Sequence, residues 1–139
     1  MPNSANPYIN FDGNCEDALN LYKKVLGTEV TMLMRFGDAP PAAGVMPGTE
    51  KKVMHTAFRI GDSTLYASDG HCTSNANLHG VALSVEAKDE AEAERIFNGL
   101  ADGGTVQLAL HKTFFAKSFG IVQDRFGLGF MILVPAPMD

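Results

Sequence analysis

Four histidines, two cysteines and sixteen carboxylates hold most of the reactive chemistry this chain can offer. His55 lies within VMHTAFRI and Asp69 closes the segment STLYASD. An imidazole and a carboxylate so placed can share a proton-transfer step, so His55 and Asp69 are the candidate catalytic pair. A histidine inside a strand is more often a hydrogen-bonded structural residue, and an aspartate at a strand end is more often a cap. His79, Tyr66, Phe114, Phe115, Phe130 and Met131 form a candidate ligand-binding set, an apolar pocket with a few polar groups. Plain core is the competing reading of each. His71 and Cys72 are a soft-ligand pair, but adjacent side chains rarely chelate alone, and His111 is expected on the surface. Cys15 opens a predicted helix, where the dipole lowers a thiol pKa, yet Glu16 and Asp17 beside it push the opposite way. It reads as a small structural residue. No G-x-S-x-G elbow or phosphate-cradling glycine loop is present.

The elements that must position these residues are built twice. In NCEDALNLYKKVLG, Ala18, Leu21, Tyr22, Val25 and Leu26 recur at helical spacing on one face. Seventy-five residues on, Ala93, Ile96, Phe97, Leu100 and Ala101 repeat the pattern. Asn14 is the expected N-cap, its side chain accepting from the backbone N–H of Asp17, and Gly27 the expected left-handed stop. Strands are expected at Tyr8–Phe11, Glu29–Phe36, Val53–Ile60 and Ser63–Ser68 around the first helix. A second set is expected at Ala82–Val85, Thr105–Leu110, Phe119–Gln123 and Gly129–Val134 around a helix at Lys88–Ala101. The last strand, apolar at nearly every position, reads as covered on both faces. Gly37–Lys52, rich in proline and glycine, is a candidate lid or a loose insertion. Asp69–His79 reads as the joint between halves at about 7–68 and 80–134, in a single domain of 139 residues.

Composition excludes several classes. Hydrophobic residues make up 45% and charged residues 19%, which suits a globular chain rather than a disordered one. A formal charge of −5 argues against nucleic-acid or anionic-membrane partners. No apolar run approaches the ~20 residues of a membrane span, and the N-terminus lacks the pattern of a secretion signal. A cytoplasmic protein with reduced cysteines is the expectation.

Two βαβββ units in tandem are the plan of the vicinal oxygen chelate superfamily, the glyoxalase and bleomycin-resistance fold. Three blocks, PYINFDGNCEDALNLYKKVLG at 7–27, HTAFRIGDSTLYASDG at 55–70 and FFAKSFGIVQDRFGLGFMIL at 114–133, resemble its PhnB-like branch. The resemblance implies an α+β fold of cupped mixed or antiparallel sheets with helices outside. Members of the branch often carry names such as 3-demethylubiquinone methyltransferase-like, but Asp12-Gly13 is far short of a methyl-donor cradle. Metalloenzymes of the superfamily hold a divalent ion from the strands that open and close each half. Those positions fall here near Pro7–Tyr8, Leu65–Tyr66, Gly80–Ala82 and Met131, with no ligand-forming His, Gln or Glu among them. The expectation is therefore no cofactor and no metal at the usual site. Two readings stand. One is a protein that binds a small organic molecule without chemistry. The other is a lyase, isomerase or dioxygenase acting on a small oxygenated substrate through an atypical metal or an acid–base pair. A homodimer is expected, since open curved sheets leave edges to cover.

Overall fold

In a computed structural model, residues 1–40, 47–70 and 77–137 are described, and they divide into two units, 1–76 and 77–139. His71, Cys72 and the middle of the candidate lid, 41–46, lie outside the described residues.

The first unit runs β1 (Tyr8–Asn10), α1 (Cys15–Leu26), β2 (Glu29–Arg35), β3 (Val53–Ile60) and β4 (Ser63–Ser68). Its sheet has the order β1-β4-β3-β2, with β1 parallel to β4 and the other pairs antiparallel. The second unit runs β5 (Ala82–Glu86), α2 (Glu90–Ala101), β6 (Thr105–His111), β7 (Ala116–Gln123) and β8 (Gly129–Pro135), in the order β5-β8-β7-β6 with the same pattern of directions. The two halves share one plan, as the repeat predicts. Its detail repeats too: Ala18, Leu21, Tyr22 and Val25 are buried, as are Ala93, Ile96, Phe97 and Leu100, while Leu26 and Ala101 are both half-exposed.

Each helix covers one face of its sheet. Tyr22 of α1 stacks on Phe58 of β3 with ring centroids 6.4 Å apart, and Phe11 packs against the Tyr22 ring. In the second unit Phe130, Ile132 and Val134 of β8 are buried with the α2 residues. Gly120 of β7 belongs there because a Cβ at that position would lie 2.8 Å from the Phe97 ring. Each large apolar side chain buried this way contributes about 1.5–3 kcal/mol before conformational entropy is subtracted.

The start of α1 departs from local expectation. Asn14 makes no side-chain cap; its Oδ1 instead lies 3.4 Å from the Asp12 amide. The first amide of the helix and that of the turn before it go to Asp69, 1% exposed, whose Oδ1 accepts from Cys15 N–H and Gly13 N–H, both at 2.8 Å. Asp69 Oδ2 accepts from Val53 N–H at 2.7 Å. One carboxylate thus joins the end of β4 to the starts of α1 and β3. At the other end Gly27 adopts φ 67° and donates to the Lys23 carbonyl, as the glycine stop predicts. Asp89 caps α2 through the Glu92 amide. The candidate lid is pinned at its roots, where Phe36 N–H donates to Lys52 O and Gly37 N–H to Glu50 O.

Asp69→Ala leaves three backbone donors without their acceptor in a buried setting, and unfolding in urea at neutral pH is expected to show a loss of about 3 kcal/mol or more.

Candidate functional site

Each sheet turns one face to its own helix, and strand alternation decides which side chains the other face carries. In the first unit those are Tyr8 and Asn10 of β1, Tyr66 of β4 and His55 of β3. Tyr8, Tyr66 and Ala57 are cross-strand partners, and Met32 of β2 completes the row. The His55 ring stacks on both tyrosines, with centroids 5.6 Å from Tyr8 and 5.5 Å from Tyr66 at interplanar angles of 27° and 26°. Tyr8 Oη lies 3.1 Å from His55 Nδ1. The expected partner of His55, Asp69, is instead buried with both oxygens taken by backbone amides. His55 therefore belongs to an aromatic cluster with Tyr66 and with Tyr8, which sequence reasoning had placed only at a vacant metal position.

The second unit holds a groove of about 340 Å³, lined by His79, Val81, Gln107, Ile121, Gln123 and Met131 among others. His79 precedes β5, Gln107 lies on β6, Ile121 and Gln123 on β7 and Met131 on β8. Ile121 and Met131 are cross-strand partners and make an apolar floor. Gln123 Nε2 donates to the Gly127 carbonyl at 3.1 Å, which fixes the amide orientation and turns its Oε1 away from that bond as an acceptor. Two amides and an imidazole over an apolar floor can hold a small molecule by area and orient it by hydrogen bonds.

Of the expected ligand-binding set, His79 and Met131 meet in this groove and Tyr66 joins the aromatic cluster. Phe130 is fully buried on the helix side of β8, so it is a core residue. Adjacent strand residues face opposite ways, and Phe130 and Met131 cannot both line one face. The same alternation revises the doubly covered strand: Met131 is 37% exposed. Phe114 is 96% exposed and packs edge-to-face with Phe115, which in turn contacts Phe119, outside the groove lining. His111 is exposed, as expected. Gln107 and Gln123 were missed, although the two-residue period that puts Gln123 beside Ile121 was in the sequence to be read.

Among the described residues no group of three or more His, Cys, Asp or Glu side chains is placed to hold a metal. Cys15 is a free, fully buried thiol. Burial first, then the Asp69 and Glu16 carboxylates, pushes it up from an ordinary 9.0 to about 12. Glu16 is held below its ordinary value chiefly by its hydrogen bond to the Arg35 guanidinium, at 2.6 Å on a solvated surface.

The family model described as 3-demethylubiquinone-9 3-methyltransferase matches residues 3–133. The protein YjdN of Escherichia coli K12 is 33% identical over 136 residues, covering 92% of each chain. The crystal structure of protein PA1353 from Pseudomonas aeruginosa is 38% identical, with a TM-score of 0.83 over 95% of this chain and 98% of that one. A Bacillus cereus protein described as a putative 3-demethylubiquinone-9 3-methyltransferase, PhnB protein, is 23% identical, with a TM-score of 0.80 over 94% of this chain and 98% of that one. The glyoxalase-related enzyme from Fulvimarina pelagi, 15% identical, has a TM-score of 0.63 over 96% of this chain and 88% of that one, a likeness of fold alone.

A thiol with so high a pKa is not a nucleophile at neutral pH. Native protein treated with iodoacetamide at pH 8 is expected to show Cys15 unmodified by peptide mass mapping, and modified once unfolded. A folded-state value above the unfolded one stabilises fully below pH 9 and loses that contribution as pH climbs toward 12, so Cys15→Ala is expected to flatten the alkaline fall in stability.

Proposed function

The chain belongs to the PhnB-like family of the glyoxalase and bleomycin-resistance fold, and from that premise we propose that it is a small-molecule-binding protein that works without a bound metal. The observation that carries this reading is the groove of the second unit, where His79, Gln107, Gln123 and Met131 converge on one apolar floor. A methyltransferase reading gains no support from the chain, since a single glycine at Asp12-Gly13 makes no methyl-donor cradle. The acid–base alternative loses its base, because the Asp69 carboxylate is committed to Gly13, Cys15 and Val53.

The occupant is a small organic molecule with an apolar body and a polar edge that meets the two amides. The protein works as a homodimer in the cytoplasm. Supporting the dimer are β2 and β6, one edge strand of each sheet, which leave Val30, Val106 and Leu108 about 40–50% exposed, apolar edges of the kind that pair with another chain. No described helix is long and apolar enough to cross a membrane.

A thermal-shift screen of small heteroaromatic and oxygenated compounds in EDTA is expected to yield ligands, and Gln123→Ala is expected to weaken them about threefold to tenfold, the worth of one hydrogen bond. Ligands that bind only after a divalent ion is added would overturn the metal-free reading. Light scattering at micromolar concentration is expected to give twice the 14.9 kDa chain mass, and a single chain mass would refute the dimer.

A further inference from the structure

The first turn of α1 is held by two anchors of different character. One is the Asp69 carboxylate, buried and bonded to the amides of Gly13, Cys15 and Val53. The other is Arg35, the last residue of β2, whose guanidinium grips both oxygens of Glu16, Nη1 to Oε1 at 3.1 Å and Nη2 to Oε2 at 2.6 Å. Its Nη1 also donates to the Lys51 carbonyl at 2.8 Å. One planar fork thus joins α1, the end of β2 and the approach to β3. Beside it Lys52 Nζ donates to the Gly13 carbonyl at 2.6 Å.

Residues 36–52 connect β2 to β3, and the two roots of that connection are bonded to each other through backbone. Phe36 N–H donates to Lys52 O and Gly37 N–H to Glu50 O, and a Cβ at Gly37 would lie 2.9 Å from that Glu50 oxygen. Roots so joined shift together, and the Arg35–Glu16 pair ties them to the helix. The pair is solvated, with side chains 35% and 49% exposed. The internal repeat indicates its purpose. Glu16 is the second residue of α1, and Ala91 is the second residue of α2. At the end of β6, where the first half has Arg35, stands His111, whose Nδ1 lies 2.9 Å from the Ala109 carbonyl of its own strand. In that half residues 112–115 suffice to join β6 to β7. The charge pair accompanies the longer connection.

We propose that Arg35 and Glu16 form an ionic latch, which seats the roots of the 36–52 connection on the first turn of α1 and is released by salt while the Asp69 anchor keeps α1, β3 and β4 in place. The difference between the anchors is one of screening. Salt at about 1 M shortens the reach of exposed charges to about 3 Å, whereas buried contacts are screened much less. The roots then open locally, as a unit less stable than the sheet they leave. The latch lies wholly in the first unit and is independent of the groove.

Amide hydrogen exchange on the full chain, followed by NMR, tests this residue by residue. Raising salt from about 0.05 M to about 1 M is expected to speed exchange at Phe36, Gly37 and Lys52 about 1.5-fold to fivefold relative to Cys15 and Val53, whose amides bond to Asp69. Glu16→Gln is expected to give the same acceleration at low salt and to leave these amides with no further response to salt. In an Arg35→Ala background Glu16→Gln is expected to add nothing, since the two changes remove one interaction. Root amides indifferent to salt, or a salt response that persists in Glu16→Gln, would overturn the latch. So would exchange at Cys15 and Val53 that rises in step with the roots, a result that makes the pair one more support of the whole unit.

Discussion

A four-stranded sheet has two faces, and each half of this chain supplies one helix. That constraint orders everything else. The helix-facing residues, Phe58 and Leu65 in the first half and Phe130, Ile132 and Val134 in the second, are buried and apolar because α1 and α2 sit on them. The opposite faces have no such cover from their own half, and they collect the polar and aromatic side chains available for recognition. Tyr8, His55 and Tyr66 occupy one such face, and Gln107, Gln123 and Met131 lie in the groove of the other unit. The proposed binding rests on this incomplete burial.

Asp69 shows how tightly the first half is tied while leaving that face open. A carboxylate accepting three backbone amides in a buried position fixes where β4 ends, where α1 begins and where β3 starts. Both of its oxygens are committed to that role. His55 then takes Tyr8 as its hydrogen-bonding partner, and the pair changes from a candidate acid–base device into part of an aromatic surface. Cys15, under the same carboxylate, is held as a neutral thiol for the same reason of burial.

Most of the fold was legible because it is encoded by period. Two helical stripes seventy-five residues apart, each flanked by strand-like runs, specify two βαβββ halves, and β3 and β4 fall where the sequence predicts. The cap of α1 was not legible: Asn14 satisfies the local rule, but the acceptor that prevails is brought from 54 residues away by the tertiary fold. The site was legible in part. Of the expected ligand-binding set, His79 and Met131 lie in the groove, because one precedes and the other sits on a strand of the second half. In GFMILV every residue is apolar, so the sequence hides which parity faces the helix; packing against α2 sends Phe130 inward and Met131 outward. Tyr8 and the two glutamines were passed over because each is unremarkable alone. Only strand register sets Tyr8 beside Tyr66 and Gln123 beside the Ile121–Met131 floor.

The most direct test of the claim that the groove binds small molecules without a metal uses a methionine as reporter. With methionine methyl groups labelled with carbon-13, Met131 reports the groove. Titrating small heteroaromatic and oxygenated compounds in EDTA, the account predicts saturable shifts of the Met131 resonance. A Met131 resonance that stays fixed under every ligand until a divalent ion is supplied would contradict it.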